Sequence, residues 1–291
     1  MSTLSPLRRA ILAVGSLLSL GVIAMAVGSL VDSMGHTSER RDSHFRLPGN
    51  QLTVHSGAGD IDLVASADQE VHVRADLEYG VVKPRLRIEN DGNLVRLDAA
   101  CSGWLPFQHC EVHFTVAVPD GTSVNARSSG GDLTATNLTG TLNLSSSAGD
   151  VSATNVHGSV NLRSTAGDVN ASHVTGTATL HSSAGDVNGM DLDAAKVDAS
   201  STAGDVFLAF ASNAFTGTDG NAIAANVTAT SSAGDVNVEL PLDSARYDIE
   251  VRSRTGGTQN IDPDLQRSDS KRKIAISSTA GDVNVLEAPA G

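Results

Sequence analysis

The chain has 291 residues, and its 20 Lys and Arg residues stand against 33 Asp and Glu residues, which gives a net charge of −13 at pH 7. Nucleic acids and anionic lipid surfaces require a basic footprint on the proteins that bind them. The charge therefore argues against both classes of partner, and we expect no nucleic-acid binding. The length allows one large domain or two small ones.

The N-terminus has the pattern of a membrane anchor. Residues 1–9 end in Arg8 and Arg9, and residues 10–31 follow without a charge. About 20 apolar residues span a bilayer, and Lys or Arg on a short flank favours a cytoplasmic N-terminus. The sequence predicts one transmembrane helix over residues 10–31, with the domain behind it on the extracytoplasmic side of the cell membrane. A signal peptide cleaved near residues 24–26 is the alternative, and the domain would then be secreted.

A polar linker and an irregular region come next. Residues 32–43 are polar and charged, which predicts a short linker. Residues 44–127 lack a regular period and are predicted to form the N-terminal cap of the array that follows. Its predicted strands cover residues 70–78, 85–89 and 94–98, and Asn-Asp-Gly-Asn at 90–93 indicates a hairpin.

Two cysteines close a short segment within this cap. Outside the cytoplasm, Cys101 and Cys110 are close enough in sequence to predict a disulfide. The alternative is a zinc site formed by Cys101, His109, Cys110 and His113. Trp104 and Phe107 lie between the cysteines and are predicted to pack the loop down or, if exposed, to form a contact patch.

The dominant feature is a short sequence motif, called the phrase below, that recurs through residues 128–206. It has the form Ser-x-Ala-Gly-Asp-Val, and its Asp residues are 18, 18, 18 and 19 positions apart. Fixed self-similarity of this kind indicates a stacked repeat architecture. Further copies begin at Ser56, Ser231 and Ser278, and a decayed copy at residues 253–258 has Gly257 in the Asp place.

Each repeat alternates apolar and polar residues. Val151 and Ala153 in one half, and Val160 and Leu162 in the other, are separated by single polar residues. Period-two alternation is a strand signal, and identical coils of two strands stack about 4.8 Å apart. Only 3% of the chain is aromatic, so the interior should be narrow. The predicted fold class is all-β, a flattened parallel β-helix or β-solenoid with coils of about 18 residues.

The period becomes irregular after Asp205. Residues 207–291 are predicted to form irregular C-terminal coils and a cap, with an insertion of about 12 residues within 207–224. The polar segment 257–273 is predicted to be a surface loop.

The repeated Asp residues are the first candidate for a site. Stacking places them on one edge, where they could be structural turn residues or calcium ligands. Calcium-binding β-rolls have one Asp in every nine residues, whereas this repeat has one in 18, so the turn role is favoured and no cofactor is expected. The calcium candidates are Asp132, Asp150, Asp168, Asp186 and Asp205.

Two common catalytic motifs are absent from the sequence. Neither Gly-x-Ser-x-Gly nor His-Glu-x-x-His occurs. The repeated Ser residues, among them Ser146 and Ser164, fit small interior positions of a coil. His157, His173 and His181 occupy turn or outward positions and are predicted to face solvent. We expect no enzymatic activity.

The repeat resembles a known family. The phrase Ser-x-Ala-Gly-Asp-Val, with Val-Pro-Asp-Gly at 118–121 and Leu-Pro-Leu-Asp at 240–243 leading into repeats, is similar to a bacterial β-strand-repeat domain of unknown function. Members of that family are often labelled putative adhesins. The resemblance covers about residues 44–291 and implies a repeat domain behind a single membrane anchor. It implies no catalytic residues.

These observations predict a membrane-anchored envelope module that binds an unidentified surface ligand as an adhesive or protein-interaction domain, because solenoids commonly bind through extended faces. Two alternatives stay open. One is a calcium-stabilised or envelope-stress-sensing ectodomain, and the other is a purely structural spacer.

Overall fold

The computed structural model describes residues 37–47, 49–80, 83–90, 94–101, 110–217, 219, 221–242 and 246–288. These residues form strands and one 3-10 turn, Pro263–Leu265. The strands are β1 Thr37–Phe45, β2 Gln51–Ser56, β3 Ile61–Ala65, β4 Val71–Tyr79, β5 Arg85–Asn90, β6 Leu94–Ala100, β7 Cys110–Val118, β8 Ser123–Ser128, β9 Leu133–Ser146, β10 Val151–Ala166, β11 Val169–Ala184, β12 Val187–Ala203, β13 Val206–Phe210, β14 Ala225–Ala233, β15 Val236–Leu240, β16 Asp248–Ser253, β17 Gln259–Ile261, β18 Arg272–Ala280 and β19 Val283–Glu287.

In the part of the chain that the structure describes, no helix has the length and apolar character needed to cross a membrane. The predicted anchor over residues 10–31 lies outside the described residues.

The strands form two faces of one solenoid, which we call the front sheet and the back sheet. The front sheet has the order β1-β4-β7-β3-β9-β10-β11-β12-β13-β15-β19-β17. The back sheet has the order β5-β6-β2-β8-β9-β10-β11-β12-β14-β18-β16. In the front sheet the pairings from β7 to β17 are parallel, and in the back sheet the pairings from β6 to β16 are parallel. The predicted all-β solenoid is confirmed for these residues.

The four strands β9–β12 belong to both sheets because each bends from the front to the back. The bend passes through residues in the left-handed region, with φ between 50° and 58°, at Asn137, Asn155, His173 and Asp191. Asn, Asp and His are the side chains that tolerate this region best. Hydrogen bonding therefore continues around the corner, and each predicted pair of short strands is one bent strand.

The interior contains the predicted columns of small apolar residues. Val151, Ala153, Val160 and Leu162 are each at most 2% exposed, and the same positions are buried in neighbouring coils. The extra residue of the fourth repeat appears as a register shift opposite Thr175 and Thr177. Burial of apolar surface at about 25 cal/mol per Å² stabilises such a stack only when neighbouring coils cover one another.

Stacking order differs from chain order at both ends of the solenoid. The arch made by β2 and β3 lies between the β6–β7 arch and the β8–β9 arch. At the other end, the β18–β19 arch lies between the β14–β15 arch and the β16–β17 arch. The outermost arches are thus not the first and last in the chain.

Strand β1 corrects the predicted linker. Residues 37–43 were expected to be a linker, but they pair antiparallel with β4 at the edge of the front sheet. Their alternating charges match those of β4: Arg40 Nε lies 2.7 Å from an Asp76 carboxylate oxygen. Hydrogen bonds from Lys83 and Arg41 lower the pKa of Glu39 to about 2. A charged edge strand of this kind discourages pairing with other chains.

The predicted surface loop at 257–273 is correct only in part, because most of the segment is exposed but it is not all loop. This segment contains β17, the 3-10 turn and the start of β18, and Arg272 is only 1% exposed. The Arg272 guanidinium carbon lies 5.4 Å from the ring centres of both Phe215 and Tyr247, and the side chain donates to the Ile223 carbonyl. Cation–π and carbonyl contacts compensate for the burial of the charge. They attach the insertion between β13 and β14 to the solenoid.

The two glycines of one turn should respond in opposite ways to substitution. Gly131 has φ of 141°, and an added Cβ would lie 2.4 Å from the Gly59 carbonyl oxygen of the next coil, whereas a Cβ on Gly130 meets nothing within 4 Å. Gly131→Ala should destabilise the chain by about 1–3 kcal/mol in urea unfolding. Gly130→Ala is the matched control and should be neutral or slightly stabilising. Equal effects of the two variants would contradict this packing of the turns.

Candidate functional site

One edge of the solenoid carries a continuous series of aspartates, which we call the Asp ladder. The Oδ1 atom of each accepts a hydrogen bond of 2.7 or 2.8 Å from the backbone N–H at the equivalent position of the next coil. Its members are Asp60, Asp132, Asp150, Asp168, Asp186, Asp205, Asp235 and Asp282. All five predicted calcium candidates belong to it. The carboxylates thus link one coil to the next at exposed turns.

A second series lies just inside the Asp ladder. From Ser128 onward, the Ser that begins each Gly-Asp phrase is buried, and its hydroxyl donates to the Gly carbonyl of a neighbouring coil, as from Ser146 to Gly131 at 2.9 Å and from Ser164 to Gly149 at 2.8 Å. Ser56 instead donates to the Ala58 carbonyl of its own turn and to the Val112 carbonyl. A buried hydroxyl without a partner would be unfavourable, so this bond explains why Ser fits the position. The predicted small interior position is confirmed, and its polar atom has a structural partner.

Different side chains end the Asp ladder. On the outer β6–β7 arch, His113 stands beside Asp60, and its Nδ1 accepts the Asp60 N–H at 3.3 Å. On the outer β16–β17 arch, Thr258 pairs with Asp282 in register and donates its N–H to that carboxylate. Gly257 was expected to replace the missing Asp. The register corrects this, because the turn has one extra residue and Thr258 takes the place.

The two cysteines lie on the outer β6–β7 arch, at the place where most other arches have a Gly-Asp turn. Cys101 and Cys110 form a disulfide, with their Cα atoms 5.9 Å apart, so the predicted pairing is confirmed. The sulfurs are therefore bonded to each other, and the zinc alternative is wrong. His109, Trp104 and Phe107 lie outside the described residues. A disulfide that closes a short loop limits the unfolded conformations of this end of the solenoid.

The described residues contain no group of three or more His, Cys, Asp or Glu side chains placed to hold a metal ion. Within the Asp ladder, one oxygen of each carboxylate already accepts a backbone N–H. The bond joins neighbouring coils, so it accounts for that oxygen as a structural acceptor.

The outer surface of the back sheet is polar and regular. Asn125, Asn143 and Asn161 form one outward column on β8, β9 and β10, and Asn161 Nδ2 lies 3.4 Å from Asn143 Oδ1. Arg127 and Arg163 stand beside this column and line a surface cavity of about 220 Å³ together with it. The two arginines are 36 residues apart, twice the repeat length, and this shared phase is a signal that the sequence analysis missed.

The outer surface of the front sheet has a different charge pattern. A cavity of about 390 Å³ lies over β1, β4 and β7 and is lined by His44, His72 and Arg74, among others. The cationic side chain is neutralised there, because Arg74 Nε lies 3.2 Å from an Asp42 oxygen. His72 likewise contacts Asp68 at 3.0 Å.

The three histidines of the repeats point outward as predicted. His157 and His173 are exposed, and His157 Nδ1 lies 2.8 Å from the Thr175 hydroxyl. His181 is half-buried, and its pKa is lowered by burial and by the positive charge of Arg163. His173 Nδ1 lies 2.8 Å from the Ser172 hydroxyl and its Nε2 lies 3.5 Å from an Asp191 oxygen, and all three groups are on the outer surface.

Most of the chain is similar to a known protein family. Residues 52–286 match the family described as Toastrack DUF4097. A search of curated proteins found no match.

Solved structures give weaker likenesses. A putative adhesin from Bacteroides fragilis is 18% identical, with 87% of this chain and 97% of that chain covered and a TM-score of 0.49. A putative adhesin from Parabacteroides distasonis is 12% identical over the same shares, with a TM-score of 0.37. A protein from the same species with the name putative lipid binding protein is 11% identical, with those shares and a TM-score of 0.41. At these scores the likenesses assign no function to this chain.

Removal of one ladder carboxylate should weaken the stack. Asp168→Ala leaves the Asp186 N–H without its acceptor and should cost about 1 kcal/mol in urea unfolding of the full chain. Asp168→Asn keeps an acceptor oxygen and should retain most of that stability. Asp198→Ala, at an exposed Asp whose side chain makes no hydrogen bond to the described residues, is the matched control and should be neutral.

The same unfolding curves should coincide in excess calcium and in chelator, because the Oδ1 atoms are already hydrogen-bonded to N–H groups. A large calcium-dependent rise of the wild-type midpoint, lost in Asp168→Ala, would contradict the turn role and support a metal ladder.

Proposed function

The chain belongs to the Toastrack DUF4097 family, and on that premise we propose that it is an adhesive or protein-interaction module of the cell envelope that acts without catalysis. Its binding surface would be the outer face of the solenoid, and its ligand a component of the envelope or of a neighbouring surface.

The observation that supports this proposal best is the register of the outward side chains. Amides and hydroxyls recur at the same position of successive parallel strands, as with Asn125, Asn143 and Asn161 on the back sheet. On the front sheet, Asn188 Nδ2 donates to Asn170 Oδ1 at 3.2 Å, and Asn284 repeats the contact with Asn237. Rows of hydrogen-bonding groups about 4.8 Å apart suit an extended ligand that contacts many coils weakly.

We also propose that residues 10–31 anchor the chain and that the solenoid lies on the extracytoplasmic side. The uncharged segment behind Arg8 and Arg9 supports a single-pass anchor with a cytoplasmic N-terminus. The Cys101–Cys110 disulfide supports an oxidising compartment for the solenoid. If residues 10–31 are cleaved as a signal peptide, the same domain is secreted.

Cells that produce the full chain should attach to a surface coated with envelope extract in several-fold higher numbers than cells that lack its gene. Protease added outside intact cells should cut the chain beyond residue 43 and lower attachment to the level of the gene-deletion strain. Full protection from external protease would contradict the proposed location.

Attachment that does not depend on the gene would contradict adhesion. In that case, a changed envelope-stress response in the deletion strain would favour a sensing ectodomain. If deletion of the gene changes neither cell attachment nor the envelope-stress response, the role of a structural spacer would be favoured.

A further inference from the structure

Two arginines on the back sheet lack acidic partners. Arg127 on β8 and Arg163 on β10 are exposed and flank Ser145, which pairs with Arg127 on one side and Arg163 on the other. Neither guanidinium forms an ion pair or a side-chain hydrogen bond within the part of the chain that the structure describes. Arg252, in the corresponding position of the distant strand β16, contacts Glu250. We call Arg127, Arg163, Ser145 and the column Asn125, Asn143 and Asn161 the arginine patch.

The arginine patch is positive in a strongly acidic chain. Strand β8 and the back-sheet halves of β9 and β10 contain no Asp or Glu, although the whole chain has a net charge of −13. The neighbouring His181 adds little positive charge near neutral pH, because burial and Arg163 lower its pKa. The positive charge of the arginine patch therefore comes from its two guanidinium groups.

The distances suit an extended anionic ligand. The two arginines are two strands apart, which places their strands about 10 Å apart across β9. The cavity between them has a volume of about 220 Å³ and is lined by the three Asn side chains and Ser145. A guanidinium forms paired hydrogen bonds with a carboxylate or sulfate, while amides and hydroxyls exchange hydrogen bonds with sugar hydroxyls.

We propose that the arginine patch binds an acidic polysaccharide, whose chain runs across the strands of the back sheet along the solenoid axis. This inference rests on the proposed adhesive function and names the ligand class of its binding surface. Acid groups of the polymer would contact Arg127 and Arg163, and the intervening sugar would lie over Ser145 and the Asn column.

Other polyanions fit the arginine patch less well. Nucleic-acid binding draws on many phosphate contacts and on aromatic side chains that stack with bases, and the arginine patch offers two cations and no aromatic ring. Peptides commonly bind to a free sheet edge or in an apolar groove. The arginine patch lies on strands that are paired on both sides, and its lining is polar.

The test measures binding of the full-length chain, solubilised in a non-ionic detergent, to defined polymers by calorimetry. Polygalacturonate and hyaluronan present carboxylates, heparin presents sulfates as well, dextran is neutral, and single-stranded DNA is the competing polyanion. The wild-type chain should bind at least one of the three acidic polysaccharides and should bind neither dextran nor DNA comparably.

The variant Arg127→Gln/Arg163→Gln should lose at least tenfold in affinity for that polysaccharide. Arg252→Gln is the matched control, because it removes an exposed arginine from the same position of the same sheet, and it should bind as the wild type does. Arg127→Lys/Arg163→Lys keeps the charge without the planar fork and should show intermediate affinity. Unchanged unfolding midpoints for all three variants would show that the fold is intact.

Three results would overturn the inference: no binding to any acidic polysaccharide, equal binding by the double Gln variant, or equal binding to DNA. A cell-attachment assay distinguishes failure of the polysaccharide proposal from failure of the proposed adhesive function. If cells with the double Gln variant attach as wild-type cells do, adhesion stands and the arginine patch is not its site. If wild-type cells do not attach more than gene-deletion cells, the proposed function itself fails.

Discussion

The hydrogen bond from a backbone N–H to the aspartate Oδ1 of the neighbouring coil is the interaction on which the rest of this solenoid depends. It holds each turn directly over the next, and several features of the repeat follow from that position. Glycine precedes each Asp because a Cβ would strike the carbonyl of the next turn: at Gly149 it would lie 2.3 Å from the Gly131 oxygen. Serine begins the phrase in the regular repeats because its buried hydroxyl donates to that same carbonyl, as Ser146 does to Gly131. With the turns in register, Val, Leu and Ala of the two sheets stack into columns, and the narrow interior follows.

The repeats could be predicted from the sequence because one period determines their strands, their turns and their buried columns. The ends could not, since stacking order there is set by tertiary packing rather than by sequence order. Nothing local indicates that the β2–β3 arch lies inside the β6–β7 arch, or that one extra turn residue moves Thr258 into the Asp place. Strand β1 was missed because it pairs through charges and lacks an apolar alternation. Arg272 was missed because a polar segment suggests a loop, while its partners Phe215 and Tyr247 are distant in sequence.

The same register that stabilises the interior also organises the outer surface. A residue type that recurs in one phase of the repeat becomes a row across the sheet, so Asn125, Asn143 and Asn161 become neighbours. A residue that departs from the repeat consensus at an outward position changes the charge and hydrogen-bonding groups at that point of the surface, as Arg127 and Arg163 do on the back sheet. Binding specificity can therefore change through outward positions while the Gly, Asp and buried Ser positions stay as stacking requires.

Native-state hydrogen exchange of the ladder amides tests the central claim most directly. The N–H groups of Asp150, Asp168 and Asp186 belong to exposed or half-buried turn residues, yet each is bonded to a carboxylate of the preceding coil. We predict that they exchange as slowly as the strand amide of Val169, which bonds to the Asp186 carbonyl. Asp150→Ala should accelerate exchange at Asp168 before any other ladder amide. Exchange of the wild-type ladder amides at the rate of unprotected surface turns would contradict the claim that the aspartates connect the coils.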